Sequence, residues 1–246
     1  TLNPSSAASD VYKRQQQCVG ELQLPLSNCG VIALDYKGQK GIATSIGHAP
    51  VSGLISAKKG SNTAIAEALT NIVFAPLEDG LKSISLSANW MWPCNNPGED
   101  ARLYDAVQEC SDFAISLGIN IPTGKDSLSM KQKYSDGDVL APGTVIISAA
   151  GQCKDISNII TPLATVNGGD LYYIDFAQDQ FHLGGSSFAQ SLDRIGKETP
   201  SVQDARYFKK AFNAVQDHIS NRKINAGHDI GSCLLYTSPS PRDSDS

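Results

Sequence analysis

Ala64–Val73 constrains the fold of this chain more than any other stretch, because a helix written there has one side for packing and one for oxygen chemistry. At about 100° per residue, Ile65, Leu69, Ile72 and Val73 form one apolar stripe, and Glu67 and Asn71 fall together on the opposite side. The stripe must be covered by another layer. On the other side, a carboxylate and an amide oxygen one turn apart can jointly hold a hard cation such as Mg²⁺, which takes oxygen ligands and accompanies nucleotide phosphates. The same pair also suits the wet face of an ordinary amphipathic helix, and spacing alone does not separate the two uses.

The segments around this helix alternate between strand and helix signals. Gly30–Tyr36 is apolar and β-branched, Lys37–Gly41 is a turn, and Gly41–Ile46 is its returning strand. Gly47-His48-Ala49-Pro50 closes that strand, and a loop is expected from there to Gly60-Ser61. His48, beside the turn, can meet a phosphate or serve as a local hydrogen-bonding group. Leu81–Ser87 alternates as a half-buried strand does and is followed by an aromatic loop through Pro93. Asn96-Pro97-Gly98-Glu99 has capping-box order, with Asn96 as N-cap, and opens a helix that should stop at Gly118. Thr144–Ala150 and Leu171–Phe176 read as further strands. Leu183–Ala189 reads as a glycine turn into a helix, and a last helix runs from Asp204.

Ile119–Ser127 is the second stretch with chemistry in it, a short strand opening into a Gly124-Lys125-Asp126-Ser127 turn. It is not a P-loop: five residues separate Gly118 from Gly124, and Asp126 follows the lysine where Ser or Thr is required. Lys125 can contact a phosphate as a point charge and Asp126 a metal; a solvated polar turn is the plain alternative.

Composition narrows the classes of function. A net charge of −5 and a pI near 5.3, with scattered Lys and Arg, give no basic surface for nucleic acid. No apolar run approaches the roughly 20 residues of a membrane span. The six cysteines (Cys18, Cys29, Cys94, Cys110, Cys153, Cys233) contain no C-x-x-C pair and read as reduced cytosolic thiols. The four histidines make no zinc spacing.

Both ends differ in composition from the middle. Residues 1–15 and 232–246 read as translated adapter sequence, or as natural Ser- and Pro-rich disorder, and neither should pack on the core. The Ala141-Pro142-Gly143 bend divides what remains into a unit at 16–142 and a second at 143–231.

Gln17–Gly20, Ala66–Asn71, Leu86–Met91, Gly124–Met130 and Gly227–Asp229 together resemble phosphoribosylformylglycinamidine synthase of the large, single-chain type, with the motifs in order over nearly all of the chain between its ends. The resemblance implies an α/β fold of two aminoimidazole-ribonucleotide-synthetase-like domains, with mixed or antiparallel sheets covered by helices. The first unit would be the second copy of the N-terminal domain, and the second unit a truncated partner. It implies a cytoplasmic enzyme of purine synthesis that uses ATP and glutamine to amidate formylglycinamide ribonucleotide. ATP phosphorylates an amide oxygen and ammonia displaces the phosphate, so charge stabilisation dominates and no catalytic side chain is assigned in this segment. A first synthetase half and a glutaminase domain are expected as further parts of that enzyme. The sheet could close a barrel-like pair with the first half, which would leave an exposed, apolar, self-associating face on this segment alone.

Carried over by position, Glu67, Asn71 and Asp229 match magnesium ligands. Asn28 stands where many relatives have aspartate, which removes one negative charge and should weaken the site. Ser27 matches a nucleotide contact. Gly231 stands where a second contact is expected from serine, so that contact is missing or displaced. Lys125 is the remaining phosphate candidate. The nucleotide, ATP or ADP, would occupy an auxiliary site. Two other readings stand beside this one: a structural ADP-binding module without turnover, and a related ATP-using synthetase such as an aminoimidazole-ribonucleotide or selenophosphate synthetase. The Ser87–Met91 and Gly124–Met130 segments argue against the latter.

Overall fold

A computed structural model describes residues 27–34, 36, 39–163 and 169–231. The expectations for the two ends, for residues 16–26 and for the tip of the first turn at Lys37-Gly38 lie outside the described residues. Seven strands are present there: β1 (Cys29–Ala33), β2 (Gly41–His48), β3 (Ile84–Met91), β4 (Asn120–Ser127), β5 (Lys131–Tyr134), β6 (Gly137–Leu140) and β7 (Thr144–Cys153). The α-helices are α1 (Pro50–Ile55), α2 (Ala57–Ile72), α3 (Glu99–Leu117), α4 (Ser187–Ser191) and α5 (Ala205–Ser220).

Five strands form one mixed sheet in the order β1-β2-β7-β3-β4, antiparallel except for the parallel β3–β4 pair, and β5–β6 is a separate hairpin. Strict alternation gives the sheet two different faces. On the inner face Ala43, Leu86, Ile147 and Ala149 are buried under the α2 stripe of Ile65, Leu69 and Ile72. Helix α5 extends this layer with Phe208 and Phe212, and the Phe208 ring meets Phe113 of α3 edge-on at 6.0 Å. Burial of these large side chains supplies most of the cohesion, at roughly 1.5–3 kcal/mol each. Gln216 of α5 is buried among them and bonds only to backbone: its amide oxygen accepts from Leu77 N–H at 3.0 Å, and its amide nitrogen donates to the carbonyls of Val73 and Ala75.

Helix α2 approaches β2 unusually closely, and Gly47 permits it. A Cβ at Gly47 would lie 2.2 Å from the Ala64 carbonyl oxygen and 2.3 Å from the Ala68 nitrogen. Ser45 Oγ reaches the Ala68 carbonyl at 2.6 Å across the same gap.

The opposite face of the sheet is open. It carries exposed Ile32 and Ile46, but between them stand Thr44, Ser85, Ser87, Thr123 and Ser148, around a trough of about 520 Å³. The expected apolar face is therefore a mixed one, on which Ile42, Ile146 and Ala150 join Ile32 and Ile46 and alternate with the hydroxyls.

Several local expectations are corrected. Thr144–Cys153 pairs over eight residues with β2 and over eight with β3, so a division at Gly143 would cut the sheet through its middle strand. Gly143 itself marks a bend at which the Trp92 ring lies against the backbone. Residues 154–231 add no strand among those described; Leu171–Phe176 is irregular, with Leu171 98% and Tyr172 79% exposed, because no neighbour offers it a ladder. The span from Pro50 is not a loop: Pro50 starts α1. The N-cap of α3 is Gly98 at φ 82°, not Asn96, whose side chain instead donates to the Pro93 carbonyl. The aromatic stretch stays in β3 as far as Met91, and Gly124–Ser127 stays in β4 rather than turning, because parallel pairing with Ala88–Met91 holds both extended. The stop at Gly118 is as expected, with φ 73°.

Candidate functional site

Helix α2, the end of β2, the residues leading into β1 and the segment after α5 meet at one corner of the sheet. From α2 come Glu67 and Asn71, one turn apart on the side facing the β2 terminus. Glu67 accepts a hydrogen bond from the His48 backbone N–H at 3.0 Å, and Asn71 donates its side-chain amide to the Ile46 carbonyl at 2.8 Å. With its nitrogen committed to β2, Asn71 has its carbonyl oxygen as the atom left for a ligand.

From the other side, Asn28 donates its amide to Asp229 Oδ2 at 2.8 Å, and His228 Nδ1 lies 3.3 Å from Asp229 Oδ1. Gly227 lets this segment in: a side chain there would strike the Phe74 ring at 2.2 Å. Gly231 follows at once, its Cβ position 3.9 Å from Asp229 Oδ2 and 4.0 Å from Asn28 Nδ2. Ser27 precedes Asn28 and is half-buried.

Electrostatics tie the two groups into one cluster. Burial pushes the Glu67 carboxyl above its usual range and the negative charge of Asp229 adds to the rise, while the His48 N–H opposes it. The Cys29 thiol, next to Asn28, is pushed up to about 12 by burial and then by Asp229. Two carboxylates held this way gain from a shared cation. Among the described residues no group of three His, Cys, Asp or Glu side chains is placed to hold a metal ion, so any cation here must also draw on amide oxygens. Glu67, Asn71 and Asp229 fit a hard cation by the chemistry of their donors. Asn28 fits only after its amide rotates, since it now presents nitrogen to Asp229.

Lys125 stands apart from this corner. It lies on β4, at the far edge of the sheet from β1, and its Nζ donates to Ser127 Oγ at 2.8 Å. The structure thus brings Asn28, Glu67, Asn71, Asp229, Gly231 and Ser27 to one corner and leaves Lys125 elsewhere. Sequence reasoning passed over the part of His48 that matters here, its backbone N–H; no side-chain motif marks such a role.

Comparison with known proteins agrees with this architecture. The family model for the FGAR-AT PurM_N-like domain matches residues 8–152. The human phosphoribosylformylglycinamidine synthase is 39% identical over 225 residues, 91% of this chain and 17% of that protein. An Arabidopsis thaliana protein, named probable phosphoribosylformylglycinamidine synthase, chloroplastic/mitochondrial, is 41% identical over 219 residues, 88% of this chain and 15% of that protein. The chain therefore spans less than one fifth of the length of these relatives. Among solved structures, Thermotoga maritima PurL complexed with FGAR is similar over 91% of this chain and 33% of its own, with a TM-score of 0.57 at 16% identity. PurLQS from the same organism covers 91% of this chain and 31% of its own, with a TM-score of 0.55 at 14% identity. These two likenesses establish the shared fold. No described helix is long and apolar enough to cross a membrane.

Proposed function

This chain belongs to the FGAR-AT PurM_N-like domain family, and from that premise we propose that it is the part of a phosphoribosylformylglycinamidine synthase that holds a magnesium–nucleotide complex at the α2–β2 corner. The observation that carries the reading is geometric: Glu67 and Asn71 are tied to the end of β2 through the His48 N–H and the Ile46 carbonyl, and the pairing of Cys29 with Ser45 sets the hydrogen-bonded Asn28–Asp229 pair beside that same end. A divalent cation bound there neutralises both carboxylates and screens the phosphates of ADP or ATP. Glu67, Asn71 and Asp229 supply oxygens, and Asn28 supplies a fourth on rotating its amide. The His48 N–H fixes the Glu67 carboxylate, and the Asn71–Ile46 bond fixes the helix that carries it. Ser27 and Gly231 flank the nucleotide through backbone groups, and Gly231 contributes no hydroxyl.

The whole enzyme, in this proposal, amidates formylglycinamide ribonucleotide with ATP and glutamine in the cytoplasm, and this segment's nucleotide is auxiliary to that chemistry. The free thiols of Cys29, Cys94, Cys110 and Cys153 are in keeping with a reducing compartment. The reading is tested by calorimetric titration of the folded chain with ADP in the presence and absence of Mg²⁺, beside a Glu67→Ala, Asn71→Ala double variant. Magnesium-dependent binding that disappears in the variant is the expected result. Unchanged binding in the variant would refute the ligand assignment.

A further inference from the structure

We propose that Gln216 and Phe74 are positioning residues for the cation site: they set how far Asp229 stands from Glu67 and Asn71, and thereby which divalent ion the corner prefers. This inference rests on the magnesium–nucleotide reading and deepens it. Its centre is the short turn Val73–Leu77 that closes α2. Asn71, one of the oxygen donors, stands two residues before Val73, so a shift of the turn reaches the site through the last residues of a rigid helix. Gln216 grips that turn from α5. It is the one polar side chain among the five buried on that helix; the others, Phe208, Phe212, Val215 and Ile219, are apolar. An aliphatic side chain would fill the same volume, but apolar contact is non-directional and does not fix register. A primary amide bonded to Val73, Ala75 and Leu77 at once allows one placement of α5 against the turn.

Phe74, inside the same turn, makes the second contact. A Cβ at Gly227 would fall 2.2, 2.6 and 2.7 Å from three atoms of the Phe74 ring, so ring and backbone touch and the segment cannot come closer. Main-chain bonds run the same way: the Phe74 carbonyl accepts from the Ile160 N–H at 3.2 Å, and the adjoining Thr161 carbonyl accepts from the Gly227 N–H at 3.1 Å. Asp229 follows Gly227 by two residues, with its side chain only 8% exposed. The two halves of the site, Glu67 with Asn71 on one side and Asp229 on the other, are therefore spaced by a turn that Gln216 holds and from which Phe74 projects as a wedge. Spacing decides the ion. Mg²⁺ needs oxygens at about 2.0–2.1 Å in near-octahedral order, whereas Ca²⁺ accepts about 2.3–2.6 Å and looser geometry. A rigidly spaced corner can enforce the tighter set, and slackening it costs Mg²⁺ more than Ca²⁺.

ADP is titrated calorimetrically into the full chain with Mg²⁺ and, separately, with Ca²⁺, and the ratio of the two affinities is the readout. Gln216→Met should lower the Mg²⁺-to-Ca²⁺ ratio about tenfold, the low end of what loss of a group orienting metal ligands costs. Phe74→Leu, which shortens the wedge and leaves the Gln216 bonds in place, should lower it about threefold. Phe208→Leu weakens the same core at its Phe113 and Phe176 contacts, and should reduce stability with the ratio unchanged. Far-UV circular dichroism checks folding; if Gln216→Met does not fold, Phe74→Leu carries the test. A wild-type chain that binds ADP with magnesium, while the folded variants keep its ratio or Phe208→Leu lowers it as much as they do, would overturn this inference alone. A wild-type chain with no magnesium-dependent ADP binding would overturn the site assignment and this inference with it.

Discussion

Gly47→Ala is the substitution whose consequence is most fully determined by the structure. The added methyl would sit 2.2 Å from the Ala64 carbonyl oxygen, 2.3 Å from the Ala68 nitrogen and 2.9 Å from the Ala68 Cα, where ordinary contact begins near 3.4 Å. All three atoms belong to the backbone of α2, so no side chain can rotate away. Strand and helix must separate by about 1 Å, an overpacking cost of about 1–3 kcal/mol. That separation also strains three tethers across the gap: Ser45 Oγ to the Ala68 carbonyl, the His48 N–H to Glu67, and the Asn71 amide to the Ile46 carbonyl. At about 1 kcal/mol for each bond lost, the loss of one or two of them brings the total to about 2–5 kcal/mol. Urea denaturation followed by circular dichroism measures it, with Gly30→Ala as control: its methyl would find Thr44 Oγ1 at an ordinary 3.6 Å. Magnesium-dependent ADP binding should fall together with stability, since the displaced helix carries Glu67 and Asn71. A Gly47→Ala protein within about 1 kcal/mol of Gly30→Ala would refute the reasoning.

Three further outcomes are expected. Burial holds the Glu67 carboxyl above its usual 4.5, so the folded chain keeps a proton that the unfolded chain has released. The stability from that proton is complete below pH 4.5 and is lost as pH rises through the folded value; Glu67→Gln should flatten that fall in metal-free buffer, and equal pH slopes in urea midpoints would count against it. Gln216→Leu should cost about 2–4 kcal/mol in the same assay, because it strands the Leu77 N–H and the carbonyls of Val73 and Ala75 in the core; a loss below about 0.5 kcal/mol would mean that these groups find other partners. Sedimentation velocity should show concentration-dependent association through the open sheet face, reduced by Ile32→Ser with Ile46→Ser; a monomer at all concentrations would exclude it.

What the sequence disclosed follows from how local each signal is. The α2 stripe, the α5 stripe with Asp204 as its N-cap, and the stop at Gly118 are written within a turn or two of helix and appear as read. Gly124–Ser127 has turn residues, yet lies flat in β4 because the β3 ladder overrides composition. Leu171–Phe176 has strand residues, yet lacks the neighbour that would make it one. Position 143 has the Pro-Gly signature of a boundary but adjoins the central strand, and only long-range pairing reveals that. At the site, the i,i+4 spacing of Glu67 and Asn71 was visible in the chain. The donation of the Asn28 amide to Asp229, across 201 residues, was not.

The order of the sheet also bears on how the chain comes to fold. β2 and β3 never touch as a pair; both depend on β7, which leaves the ribosome about 100 residues after β2 begins. Until then, two half-sheets must wait with their inner edges unsatisfied, and only the last arrival joins them. Such a topology has high contact order, which predicts slow, all-or-none assembly and makes the nascent chain, rather than the finished one, the form most in need of a chaperone.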